Sequence, residues 1–146
     1  MLSNNGREED LLADVTTALQ HGMRVRPEVG GFPSFAEALR RAGVERLEFA
    51  VPSATTLYVT SRGAVVAQGE PLANGATLVA RFDESALVAA IRADQQGRST
   101  FPEFVASAWR AGVVSWTVDL SARTCTYRSA SGRESYVESY PAVDIP

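Results

Sequence analysis

Phe32-Pro33-Ser34-Phe35, followed by Arg41-Ala42-Gly43-Val44, recurs at the same spacing as Phe101-Pro102-Glu103-Phe104, followed by Arg110-Ala111-Gly112-Val113. Thr55 and Tyr58 stay in step with Thr124 and Tyr127, and the copies close at Gly63 and Gly132. Identities cover about a third of the aligned positions, against roughly one in sixteen from ordinary residue usage. Proline is tolerated in a first helical turn because its missing N–H would have no partner there, so each Phe-Pro reads as a helix start. Phe35, Ala38, Leu39 and Ala42 share one helical face, as do Phe104, Ala108 and Ala111. Gly43 and Gly112 then stand where a left-handed C-cap favours glycine. Beyond them the period drops to two, with Leu47, Phe49 and Val51 in one copy and Val114, Trp116, Val118 and Leu120 in the other.

Working outward, the turns Pro52-Ser53-Ala54 and Ser121-Ala122-Arg123 lead into return strands over Thr55 to Thr60 and Thr124 to Arg128. Gly63 and Gly132 mark second turns before third strands near Val65 and over Tyr136 to Ser139. Upstream, Leu11, Leu12, Val15, Ala18 and Leu19 predict a helix from about Glu9 to Gln20, with Gly22 as its stop. Its counterpart begins after Asp83, a cap residue, with Phe82 and Leu87 as a hydrophobic staple, Leu87, Ala90 and Ile91 inward and Gly97 at the end. Thr100 and Glu103 stand in capping-box spacing. The connections differ between copies: His21 to Gly31 is long and glycine-rich, a lid or slack, whereas its counterpart is only Gly97 to Thr100. Glu70 to Thr77 is a second irregular connection, leading to a strand near Leu78. The sequence therefore predicts one α+β domain over residues 1–146, with a disordered start at 1–8 and repeat units at about 9–80 and 82–140 sharing one core. Each unit reads helix-helix-strand-strand-strand, giving an antiparallel sheet with helices on one face and an approximate internal two-fold.

The net charge of −3 and pI near 5.2 argue against general affinity for nucleic acid or anionic lipid. No stretch reaches the ~18 apolar residues a membrane span needs, and the polar N-terminus has no apolar signal core. With a single cysteine, Cys125, this composition predicts a cytoplasmic protein. All 14 basic side chains are Arg, which removes Schiff-base chemistry and a P-loop lysine.

One His and one Cys cannot build a standard zinc site, and the nucleotide-binding and serine-hydrolase fingerprints are absent. The sequence thus predicts no catalytic residue, metal or cofactor. His21 reads as a partner of free carbonyls at a helix end, and Cys125, on the same strand face as Tyr127, as a small buried hydrophobe. The carboxylates Glu45, Glu48, Glu134 and Glu138 read as solvated. Candidate binding residues are Arg92, whose fork suits a carboxylate or phosphate, Gln96 beside it, Trp109, whose repeat counterpart is Arg40, and Tyr127.

Ala90-Ile91-Arg92-x-x-Gln95-Gln96-Gly97, with Phe101-Pro102-Glu103-Phe104, Ala111-Gly112, Tyr127, Gly132 and Val137-Glu138-x-Tyr140-Pro141, resembles the YdfO/YbcV-like family of small bacterial and prophage proteins, sometimes labelled phage envelope proteins. The resemblance spans roughly Gly31 to Pro141 and implies a compact α+β fold with no established biochemical activity. Leu47 and Tyr136 depart from its pattern, which commonly has Tyr and His there. The leading expectation is a non-enzymatic protein-interaction or ligand-binding module of phage-derived type, acting on a protein or a small anionic ligand. Its rival is a small enzyme acting on an Arg-held anionic metabolite, with a carboxylate or His21 moving a proton. A third is a homodimer paired through a free sheet edge beside Tyr136 to Tyr140.

Overall fold

The computed structural model describes residues 4 to 146. Its elements run α1 (Asn4–Val25), α2 (Phe32–Arg41), β1 (Val44–Ala50), β2 (Thr55–Thr60), β3 (Gly63–Gln68), α3 (Glu84–Gln95), α4 (Phe101–Arg110), β4 (Val113–Asp119), β5 (Thr124–Ser129) and β6 (Ser135–Ser139). Both Phe-Pro pairs open helices, and both helices end before glycines of positive φ, +97° at Gly43 and +84° at Gly112, where a side chain would be strained. Asp83 caps α3 by accepting from the Ala86 N–H at 3.0 Å. The capping box at α4 is complete: Glu103 Oε1 accepts from the Thr100 N–H at 2.9 Å, and Thr100 Oγ1 accepts from the Glu103 N–H at 3.3 Å.

The six strands form one antiparallel sheet in the order β3-β2-β1-β4-β5-β6. The central β1–β4 pair joins the halves, setting Leu47 opposite Val118 and Phe49 opposite Trp116. A helix-helix-strand-strand-strand run that occurs twice, meeting at the middle of a palindromic strand order, is consistent with an internal duplication. Leu47, Phe49, Val51, Trp116, Val118, Leu120, Cys125 and Tyr127 point to the helices and join Leu11, Val15, Leu39, Leu87, Ile91 and Phe104 in one buried cluster. Phe49 stacks on Trp116 with centroids 4.5 Å apart, and Phe104 lies 5.5 Å from the same indole. The opposite face carries the row Val66, Leu57, Glu48, Thr117, Thr126 and Val137, none of it buried. All the helices therefore lie on one side of the sheet.

Four details differ from the sequence reading. Helix α1 begins at Asn4, within the stretch expected to be a disordered start, of which residues 1–3 lie outside the described residues. It also runs through Gly22 to Val25, so the loop expected over 21–31 shrinks to 26–31. Gly22 is a crossing point rather than a stop: a Cβ there would lie 2.7 Å from the Phe35 ring, so its bare backbone is what lets α1 approach α2. No strand forms near Leu78, which is 94% exposed in an irregular connection. Finally, Val113 is buried in place of Val114, because β4 carries a register shift between Val113 and Ser115, as β1 does between Val44 and Arg46.

Candidate functional site

A cleft of about 450 Å³ opens between the first turn of α4 and the helix-covered side of the first three strands. Phe101 and Pro102 form its upper wall, held in place by the capping box that anchors the start of α4. Phe49, Thr56 and Ala67 form its floor, one from each of β1, β2 and β3, and Val105 and Ala106 its inner wall. After β3 the chain bends across the open end as Gly69-Glu70-Pro71-Leu72. That bend is tied down where Gly69 N–H donates to Ala54 O at 2.7 Å and Leu72 N–H donates to Pro52 O at 2.9 Å. Gln68 Nε2 donates to the Ser53 and Gly69 carbonyls, which occupies its amide. The Phe101 ring meets Phe49 edge-on at 5.7 Å and 74°. The volume lies in the ordinary range for a small-molecule pocket, and the lining is apolar except for Thr56, Gln68 and Glu70.

Arg92 lies elsewhere, on α3 above β6, and its fork is engaged. Its Nη1 donates to Glu138 Oε1 at 2.7 Å and to Gln95 Oε1 at 2.8 Å, while Tyr136 Oη donates to Glu138 Oε2 at 2.7 Å. Burial alone would raise the Glu138 carboxyl, but the hydrogen bonds from Arg92 and Tyr136 outweigh it and hold the group below the ordinary carboxylate range. Glu138 is thus a half-buried ion-pair partner, where the sequence reading had a solvated carboxylate. Tyr136 in turn lies 6.5 Å from Tyr127, so the structure links Arg92 to Tyr127 through these two residues. Tyr127 is 7% exposed among Phe104 and Trp116, and burial raises its phenol far above the ordinary value. Gln96 is exposed at the C-cap of α3, and Trp109 is half-buried on α4 against the core. Neither is brought into the Arg92 group.

Cys125 is buried in the core, and burial pushes its thiol up to about 12. His21 lies inside α1, not at its end, beside an open hollow shared with Asp14, Thr17 and Arg41. The Arg41 guanidinium there is already committed, donating to Glu37 Oε2 at 3.0 Å, to Ile145 O at 3.0 Å and to Asp144 Oδ1 at 3.2 Å. Among the described residues no group of three His, Cys, Asp or Glu side chains is placed to hold a metal, and no helix is long and apolar enough to cross a membrane. The cleft went unread in the sequence because its walls come from four separated segments, and the one local signal for it is the pairing of exposed Phe101 with the Gly69-Glu70-Pro71 bend.

Fold and cleft together define an α+β protein with one helix-covered sheet face and an apolar cleft at its first half. The chain belongs to the family described as protein of unknown function (DUF1398), whose model matches residues 23–139. It is similar to the uncharacterized protein Rv2012 of Mycobacterium tuberculosis and to the uncharacterized protein Mb2035 of Mycobacterium bovis. Each is 46% identical over 133 residues, covering 91% of this chain and 80% of the relative.

Proposed function

We propose that this protein is a non-enzymatic ligand-binding module whose site is the cleft beneath α4. The observation that carries this reading is the make-up of the lining: Phe49, Phe101, Pro102, Val105, Leu72 and small residues around about 450 Å³, without an imidazole or a thiol. A proton-transfer site would need a titratable group aimed into that space, and the only carboxylate in the lining is Glu70, on the bend at its open end. The rival, an enzyme holding an anionic metabolite on Arg, is disfavoured at Arg92, where a ligand would first have to displace Glu138. The protein-interaction form of the proposal rests on Trp109, Gln96, Arg92 and Tyr127, the first two lying apart from the group that joins Arg92 to Tyr127. A cytoplasmic site of action and a phage-derived origin belong to the same proposal and rest on composition and on the resemblance to YdfO/YbcV-like proteins.

A solvatochromic apolar dye tests the reading. Wild-type protein should enhance its fluorescence with one-site saturation, and Ala106→Phe, which places a ring in the cleft, should abolish the enhancement while leaving the thermal transition in place. Equal enhancement by the two proteins would move binding away from the cleft. If dye bound nowhere, and Trp109→Ala with Arg92→Ala removed a partner recovered by pull-down, the interaction form would replace the ligand form.

A further inference from the structure

The place of the cleft has a counterpart in the other half of the molecule, and there a tyrosine ring, Tyr140, meets the phenylalanine that opens the helix. Gly69 N–H donates to Ala54 O at 2.7 Å, and Tyr140 N–H donates to Arg123 O at 3.0 Å. Among the described residues Ala54 and Arg123 are the two non-glycine residues with positive φ, 54° and 56°, in the equivalent turns β1–β2 and β4–β5. Sheet register agrees: Thr56 pairs with Ala67 and Thr55 with Gln68, as Cys125 pairs with Glu138 and Thr124 with Ser139. Gly69 and Tyr140 each follow the last of these pairs, so they occupy the same place. In the second half the Tyr140 ring meets Phe32 edge-on, with centroids 5.1 Å apart and an interplanar angle of 83°. Phe32 opens α2 as Phe101 opens α4. By the repeat spacing, Arg123, Cys125 and Glu37 stand where the cleft has Ala54, Thr56 and Ala106. The first half therefore keeps Phe101, whose ring meets Phe49 from the cleft floor at 5.7 Å, but has Gly69 where the second half has the Tyr140 ring, and replaces an Arg and a Glu by alanines.

From this the geometry points to the ligand class: the cleft takes an uncharged compound bearing a single aromatic ring, seated edge-to-face on Phe101 as Tyr140 sits on Phe32. This deepens the ligand-binding reading and rests on it. Alanine at the positions of Arg123 and Glu37 leaves the inner part of the cleft without an ion partner for a charged substituent, Glu70 lying on the bend at the open end, and adds room beyond one ring. Phe101 is 53% exposed, so its ring keeps free surface beside the edge-on contact with Phe49.

The probe is p-cresol, the side chain of tyrosine, with 4-methylcyclohexanol as its non-aromatic match, each titrated into the full chain and followed by heteronuclear NMR shifts. The expected result is saturable binding of p-cresol centred on Phe101, Leu72 and Val105, about 2- to 12-fold tighter than the cyclohexanol, the worth of an edge-to-face contact. Phe101→Leu, a change at a half-exposed helix start, should erase that preference while both compounds still bind. Equal affinities in wild type would overturn the aromatic assignment and leave the ligand-binding reading standing. No binding of either compound at millimolar concentration would overturn both.

Discussion

Replacing Tyr140 by alanine should make the second half resemble the first. The ring is half-buried against the core and meets Phe32 edge-on at 5.1 Å, while its backbone N–H bond to Arg123 O survives the change. A fully buried large aromatic costs 3 to 5 kcal/mol on truncation, so a half-buried one should cost about 2 kcal/mol, the edge-to-face term included. For a chain of this length that lowers Tm by about 4 to 8 °C. Because truncation opens a slot, p-cresol should return part of the loss: at tenfold excess over its Kd, about 1.4 kcal/mol. Calorimetric titration should count one p-cresol site in wild type and two in Tyr140→Ala, and melting curves should show the variant gaining more from the ligand than wild type does. A fall in Tm below about 2 °C, or an unchanged stoichiometry, would mean that Tyr140 does not fill a slot equivalent to the cleft, and the comparison of the two halves would collapse.

Other outcomes follow from the same structure. The Arg40 guanidinium, bonded to Glu37 at 2.7 Å and 2.8 Å with Arg41 adding a third bond, holds the Glu37 carboxyl at about 2 against burial, which acts to raise it from the ordinary 4.5. The unfolded chain takes up that proton first, so the Glu37 contribution is complete above about pH 4.5 and is lost as pH falls toward 2. Urea unfolding at a series of pH values should therefore show wild type and Glu37→Gln converging through that window. Cys125, buried with its thiol pushed up to about 12, should not react with a disulfide reagent at pH 8 until denaturant is added, and fast native labelling would contradict its placement. Gly43→Ala and Gly112→Ala both strain a positive φ at a cost of about 1 kcal/mol. A Cβ at Gly112 would also lie 2.7 Å from the Arg81 and Phe82 backbone, whereas at Gly43 nothing lies within 4 Å, so Gly112→Ala should melt clearly lower than Gly43→Ala.

The repeat made most of the fold legible. Phe-Pro starts, the glycines at 43 and 112 and the alternation after them are local signals, and each carries a steric reason that survives in the folded chain. The register shifts at Val44 and Val113 were not legible, since an extra residue entering a strand leaves the hydrophobic count unchanged and only moves which valine turns inward. Gly22 misled because a helix stop and a close helix crossing favour the same residue. Charge patterning named Arg92 but could not see that Glu138, two strands and a turn beyond the core pair, completes it. The cleft was hidden for a sharper reason. The β2–β3 turn holds two residues between Thr60 and Gly63, while the matching turn runs from Ser129 to Glu134 and is two residues longer. A constant repeat spacing therefore sets Gly69 against Glu138 and Pro71 against Tyr140. Only hydrogen-bond register brings Gly69 and Tyr140 together and exposes the missing ring.

The decisive observation is intermolecular NOEs between p-cresol and isotope-labelled full-length protein. Contacts from the p-cresol ring protons to the methyl groups of Leu72 and Val105 and to the Phe101 ring are the predicted result. Saturating p-cresol with no contact to these residues, or with contacts only to the exposed sheet face around Val66 and Val137, would contradict it.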